Sequence, residues 1–141
     1  MVLVYLDASA LVKLCVREPG SRLASALWNR ADVVATSRVA DAEVRAALAA
    51  GERAGVLDPL ARRRGTATWE TLWPALHVVE VTRDLGDRAA VLLATCPVPL
   101  RGGDALHVAS ALSLAHDDTV VAAWDEHVAG AARSVRLRVL P

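Results

Sequence analysis

Four carboxylates in this chain stand where a fold could collect them for chemistry: Asp7, Glu43, Asp104 and Asp125. Two short apolar runs, Val2 to Leu6 and Thr119 to Trp124, end abruptly on aspartates, at Asp7 and Asp125. A third aspartate, Asp104, opens a nearly all-apolar segment from Ala105 to Ala115. A cluster of such acceptors suits a hard divalent cation such as magnesium or manganese. Taken singly, each aspartate has another reading as a helix cap, because its carboxylate accepts from the first free amides of a helix.

Glu43 is the acid that capping does not cover. The sequence predicts an Ala-rich helix from Ser37 to about Ala54, with Glu43 about two turns inside it. On a helical wheel Val39, Ala46, Ala47, Ala50 and Ala54 fall within roughly 60° of Glu43, so it is expected on an apolar, core-facing side. Asp41 shares the opposite face with Arg38, Arg45 and Glu52, where ordinary surface ion pairs form. A carboxylate facing a core needs a basic partner or a metal ion. Convergence of the four acids also demands a cation, since two charges about 5 Å apart at an effective dielectric of about 20 repel by roughly 3 kcal/mol. Lys13 is the only lysine and is not placed to supply it, and no Cys and His cluster argues for zinc.

These acids must be positioned by an alternation of strands and helices. Strands are expected at Val2 to Leu6, Val33 to Thr36, Leu76 to Val81, Thr119 to Trp124 and about Val135 to Leu140. Helices are expected from Ser9, Ser21, Ser37, Asp58 and Asp84, then from Ala105 to Ala115, with a short one after Asp125. Continuous apolar strands separated by helices indicate an α/β fold: a mostly parallel central sheet covered on both faces, with ligands bound beyond the carboxyl ends of the strands. Asp7 and Asp125 stand at such ends.

Length and composition set the limits. A chain of 141 residues fits one domain spanning 1–141, with no repeat, linker or low-complexity segment. Phenylalanine is absent, so Leu, Val, Ala and four Trp must fill the core. Met1 to Leu6 lacks the features of a signal peptide, and apolar runs break before the roughly 18 residues of a membrane span, so a soluble cytoplasmic protein is expected. Cys15 and Cys96 form no paired motif and are expected to be buried, reduced thiols. The formal net charge is zero, so nucleic-acid binding must rest on local charge. The run Arg62, Arg63, Arg64 and the separate Arg101 offer phosphate contacts, or for the run a solvated helix face.

Four blocks, YLDASALVKL from Tyr5, TSRVADAEVRAAL from Thr36, LRGGDALHVASAL from Leu100 and AWDEHVAGAA from Ala123, resemble in order and spacing those of PIN domains. The likeness is strongest to VapC toxins of type II toxin–antitoxin operons. It implies a PIN-like three-layer sandwich and a magnesium-dependent endoribonuclease, with manganese as a substitute. Asp7, Glu43, Asp104 and Asp125 take the places of the acidic metal-binding quartet, with Asp7 and Asp104 as principal ligands. Ser9 matches a hydroxyl that can orient Asp7 or a metal-bound water, or can cap the first helix. His107 matches the family's DALH block and is read as a buried hydrogen-bonding residue. Trp124 departs from the small or polar residue usual before the last aspartate, which makes Asp125 the least secure member. The resemblance also implies a homodimer and a VapB-type antitoxin bound in a hetero-oligomer, with RNA as substrate. The rivals are an inactive PIN-like module that only binds RNA or antitoxin, and a phosphatase or receiver domain. The latter lack support, because Ser9 stands where a second aspartate is needed and no distant lysine exists. A DNA nuclease shares the same chemistry.

Overall fold

A computed structural model describes residues 1–141. The elements are β1 (Leu3–Leu6), α1 (Ala8–Cys15), α2 (Ser21–Arg30), β2 (Val33–Ser37), α3 (Ala40–Arg53), α4 (Pro59–Leu72), β3 (His77–Val79), α5 (Arg83–Thr95), α6 (Gly102–Leu114), β4 (Thr119–Ala122), α7 (Glu126–Ser134) and β5 (Arg138–Leu140). The five strands make one sheet in the order β3-β2-β1-β4-β5, and every pairing is parallel. The expected α/β sandwich is present, with a sheet that is wholly rather than mostly parallel.

The strand alternation explains how both faces are covered. In β1, Leu3 and Tyr5 pack into a core with α5, α6 and α7, while Val4 and Leu6 pack into a second core with α1, α3 and α4. All four are buried, which is why the run reads as continuously apolar. From the central β1 the chain moves to β2 on one side and later returns to β4 on the other. The carboxyl end of β1 therefore lies at the switch point where sheets of this class open a crevice. No helix is long and apolar enough to cross a membrane.

Small residues set the helix spacing on the second face. A side chain at Gly65 of α4 would place its Cβ 3.1 Å from Leu48 Cδ2 of α3, 3.3 Å from Val16 Cγ1 and 3.4 Å from the Cys15 carbonyl. Gly65→Val is expected to push α4 from α3 and the end of α1 and to destabilise the fold by about 1–3 kcal/mol. Urea unfolding checks this, and an unchanged midpoint would refute it.

Several boundaries differ from the expected ones for identifiable reasons. The third helix begins at Ala40, not Ser37, because Ser37 pairs with Val79 in the sheet and the Arg38 amide also donates to Val79. The sixth begins at Gly102, not Ala105, since the Arg101 amide donates to Asp104 Oδ2 and draws both glycines into the first turn. The last strand starts at Arg138 after a turn in which Arg136 adopts φ 66°. Both cysteines are free thiols, but they are half-buried rather than fully buried as expected. Burial pushes the Cys15 thiol up to about 12, which leaves it protonated and unreactive.

Candidate active site

Asp7 leaves β1 and immediately caps α1, where its Oδ1 accepts from the Ala10 amide at 3.0 Å. The same oxygen accepts from Ser9 Oγ at 2.6 Å. Ser9 Oγ in turn accepts the amides of Trp124 at 2.9 Å and Asp125 at 3.1 Å. The reading of Ser9 as the helix cap is thus corrected: Asp7 is the cap, and Ser9 orients Asp7 while tying the ends of β1 and β4 together. Asp7 is only 2% exposed. No buried side-chain oxygen or nitrogen lacks a partner, so its second oxygen opens on the cleft. Desolvation lifts its pKa from 3.8 to about 6, the nearby Asp125 adds to the rise, and Ser9, His107 and the Ala10 amide oppose it.

Asp125 follows the same plan at the end of β4. Its Oδ1 caps α7 by accepting the amides of His127 at 2.9 Å and Val128 at 3.0 Å. Its Oδ2 lies 3.3 Å from Arg101 Nη2. Asp104, in contrast, is the third residue of α6 and not its cap. Its Oδ2 accepts from the Arg101 amide at 2.9 Å and Nε at 3.1 Å, and its Oδ1 from Nη2 at 3.3 Å. Arg101 is 73% exposed on its side chain, so its charge enters from the solvent side of the two carboxylates. The sequence offers Arg101 as a phosphate contact, and convergence of the acids demands a cation. The structure supplies one such cation within the chain, since this guanidinium bridges Asp104 and Asp125.

Glu43 requires a larger correction. It lies in the first turn of α3, not two turns inside it, and its side chain is 39% exposed. The buried line of α3 is Ala40, Val44 and Leu48, whereas Ala46, Ala47, Ala50 and Ala54 face solvent. Equal weighting of alanines on a wheel misplaced the face, because burial favours the larger Val44 and Leu48. Although it does not face the core, Glu43 has a partner: its Oε1 is 2.7 Å from His107 Nε2. His107, 2% exposed, meets the Tyr5 hydroxyl through Nδ1 at 2.9 Å. Asp41 pairs with Arg45 as expected and also accepts from the Trp69 indole at 2.8 Å. Of the arginine run, Arg62 is engaged by Glu52, while Arg63 and Arg64 form no ion pair.

Asp7, Ser9, Glu43, Asp104 and Asp125 all line one cleft of about 60 Å³, together with Arg101 and His107. Every site residue expected from the sequence is therefore brought to one place. No three acids are gathered as tightly as a closed coordination shell. The donor set is nevertheless all oxygen at the mouth, both nitrogens of His107 being engaged, and it fits a hard divalent cation. Tyr5 was missed by sequence reasoning. A lone tyrosine in a buried apolar strand was the available signal, because its hydroxyl must find a partner.

The PIN-domain model matches residues 4–133, a span that contains all of these residues. The chain belongs to the PIN-domain family. Two Mycobacterium tuberculosis PIN relatives, Ribonuclease VapC45 of strain CDC 1551 / Oshkosh and Ribonuclease VapC49 of strain ATCC 25618 / H37Rv, are each 44% identical over 141 residues, covering 100% of this chain and 96% of theirs. This chain is accordingly a ribonuclease of the VapC type. Among solved structures, the M. tuberculosis sarcin-ricin loop cleaving toxin VapC20 superposes with a TM-score of 0.69 at 19% identity, over 95% of each chain. VapBC2 from Rickettsia felis, bound to a promoter DNA fragment, gives a TM-score of 0.66 at 11% identity over 99% of this chain and 98% of that one. Both share the PIN fold of this chain.

Proposed function

We propose that this PIN domain, spanning 1–141, is the toxin of a VapBC-type pair, a magnesium-dependent endoribonuclease that hydrolyses RNA phosphodiesters at the Asp7, Glu43, Asp104 and Asp125 cleft. The observation that carries this reading is the convergence of the four carboxylates on one cleft at the switch point of a parallel sheet. Asp7 and Asp104 are the principal ligands, with Glu43 and Asp125 completing the set, and manganese can take magnesium's place. A bound divalent ion supplies charge neutralisation at the scissile phosphate and a more acidic water. The chain's own part is orientation: Ser9 fixes Asp7, the α7 cap fixes Asp125, and His107 holds Glu43. Asp7 is buried without a full counter-charge, a carboxylate that a cation would relieve.

The strand to be cut needs cationic contacts along its backbone. An open groove lined by Arg17, Arg22, Ser25 and Asn29 supports such contacts, since Lys13 neutralises Glu18 there and both arginines are free of ion pairs. Gly20, the residue before the groove's Ser21, packs against Trp124, the neighbour of Asp125. The toxin acts in the cytoplasm as a homodimer and is held inactive by a VapB-type antitoxin, a partner type consistent with the Rickettsia felis complex. An antitoxin arginine can take the place of the metal's charge among the carboxylates, as Arg101 already does within the chain. The test is cleavage of single-stranded RNA, structured RNA and DNA side by side by the purified chain. RNA cleavage restored by magnesium after chelation is expected. Cleavage unaffected by chelation, or cleavage of DNA alone, would overturn the reading.

A further inference from the structure

The α5–α7 core contains one polar line that the cleft alone does not require. Tyr5 is wholly buried in β1, His107 is buried in α6, and the pair meet edge to face with ring centroids 6.0 Å apart. Their hydrogen bonds run in series, Tyr5 Oη to His107 Nδ1 at 2.9 Å and His107 Nε2 to Glu43 Oε1 at 2.7 Å. Only the last member reaches solvent.

The direction of the protons follows from the donors available. A carboxylate accepts and does not donate, so the 2.7 Å contact places the proton of His107 on Nε2. A neutral imidazole then presents Nδ1 as an acceptor, which Tyr5 must fill with its hydroxyl proton. The nearby Thr36 and Ser110 hydroxyls donate to the Leu6 and Leu106 carbonyls, at 2.6 and 2.7 Å. Burial also holds the Tyr5 phenol well above its ordinary pKa, so it remains a donor.

We propose that Tyr5 and His107 are positioning residues for the ribonuclease reaction: the tyrosine hydroxyl locks His107 as its Nε2–H tautomer, and the imidazole clamps Glu43 Oε1 so that Oε2 is delivered to the cleft. This inference rests on the reading of Glu43 as a metal-site carboxylate. The clamp matters because Glu43 sits on the first turn of α3 with a long, half-exposed side chain that would otherwise sample several rotamers. Oε2 faces the Gly103 backbone, where a Cβ would lie 3.8 Å away, in the turn that carries Asp104. The brace thus sets Glu43 against Asp104 from inside the protein. The arrangement is the carboxylate–histidine pairing of metal sites with the order reversed, the histidine standing behind the acid.

Two measurements on the full chain test this. Nitrogen-15 NMR of the imidazole is expected to show His107 as the Nε2–H tautomer, and Tyr5→Phe is expected to give a mixture by removing the donor to Nδ1. An Nδ1–H form, or protonation of both nitrogens, in the unsubstituted protein would overturn the proposal. Manganese binding, followed by paramagnetic resonance without RNA, supplies the second readout. His107→Gln restores an N–H near the Nε2 position and is expected to bind within about threefold of the parent, whereas His107→Met loses about 10–100-fold. Equal affinity of the Gln and Met variants would overturn the clamp. Tyr5→Phe retains the ring volume and is expected to weaken binding several-fold, so it decides the matter if His107→Met does not fold. If the unsubstituted protein bound no manganese, the metal site itself would fall, while the tautomer would still decide whether the brace exists.

Discussion

Asp7→Asn is expected to abolish RNA cleavage, a fall on the order of 10³-fold or more, and at the same time to make the metal-free protein more stable. Both effects come from one carboxylate. Asparagine keeps an oxygen to accept from Ser9 and from the Ala10 amide, so the cap and the tie to β4 survive. What disappears is a negative charge that burial makes costly, as the rise from 3.8 to about 6 records. The unfolded chain loses this proton near its ordinary value and the native state only near 6, so stability declines as pH rises through that window. Above about pH 6 the penalty is complete, about 3 kcal/mol at 1.36 kcal/mol per pKa unit. The variant escapes it. Thermal unfolding without divalent ions should show the two proteins equal near pH 3.5, with the variant ahead by roughly 5–10 °C at pH 7.5. Magnesium should narrow the gap by binding the native parent. Asp104→Asn should also abolish cleavage. Equal melting at both pH values would refute the account of Asp7.

Arg101→Ala is expected to separate two properties that usually move together. Its guanidinium bridges Asp104 and Asp125 in the position where a divalent ion would draw on both. Its removal takes away a competitor, so manganese affinity should increase several-fold at low salt, with the gain shrinking as ionic strength rises. Cleavage should nevertheless fall about 10²-fold, because Arg101 is an exposed guanidinium in the lining of the cleft, able to pair two oxygens of a scissile phosphate. Arg101→Lys should recover little of the activity, since a single ammonium does not reproduce the fork. Calorimetry and single-turnover cleavage would settle both halves. Weaker metal binding in the alanine variant would sink the competitor role.

The strands and the acids at their ends were legible in the sequence because both depend on local pattern. Leu3 to Leu6 is buried on both faces and reads as an unbroken apolar run, and the aspartate that stops it marks the carboxyl edge. The expected sheet, helices and cleft members followed from such runs and from the order of the four blocks. Ser9, two positions from Asp7, was legible as its partner, but the long-range contacts of the site were not. Tyr5 and His107 lie 102 positions apart, Glu43 and His107 64 apart, and Ser9 and Trp124 115 apart, so no window along the chain contains them. Side-chain size misled the reading of α3, where Val44 and Leu48 took the core and left the alanines outside. The helix starts at Ala40 and Gly102 were set by contacts with β3 and by Asp104 bonding to Arg101, neither of which propensity records.

The double duty of the aspartates governs how this protein should be handled. Asp7 and Asp125 each hold a helix end with one oxygen and turn the other toward the cleft. Replacement by alanine would remove an anchor worth about 1 kcal/mol as well as a charge, and loss of activity would then be indistinguishable from loss of structure. An alanine scan would consequently overstate the chemistry. Asparagine subtracts the charge and leaves the anchor, which makes it the substitution for producing a harmless form in quantity. A host that cannot tolerate an active nuclease could make that form, folded and available for titration or crystallisation with RNA left intact.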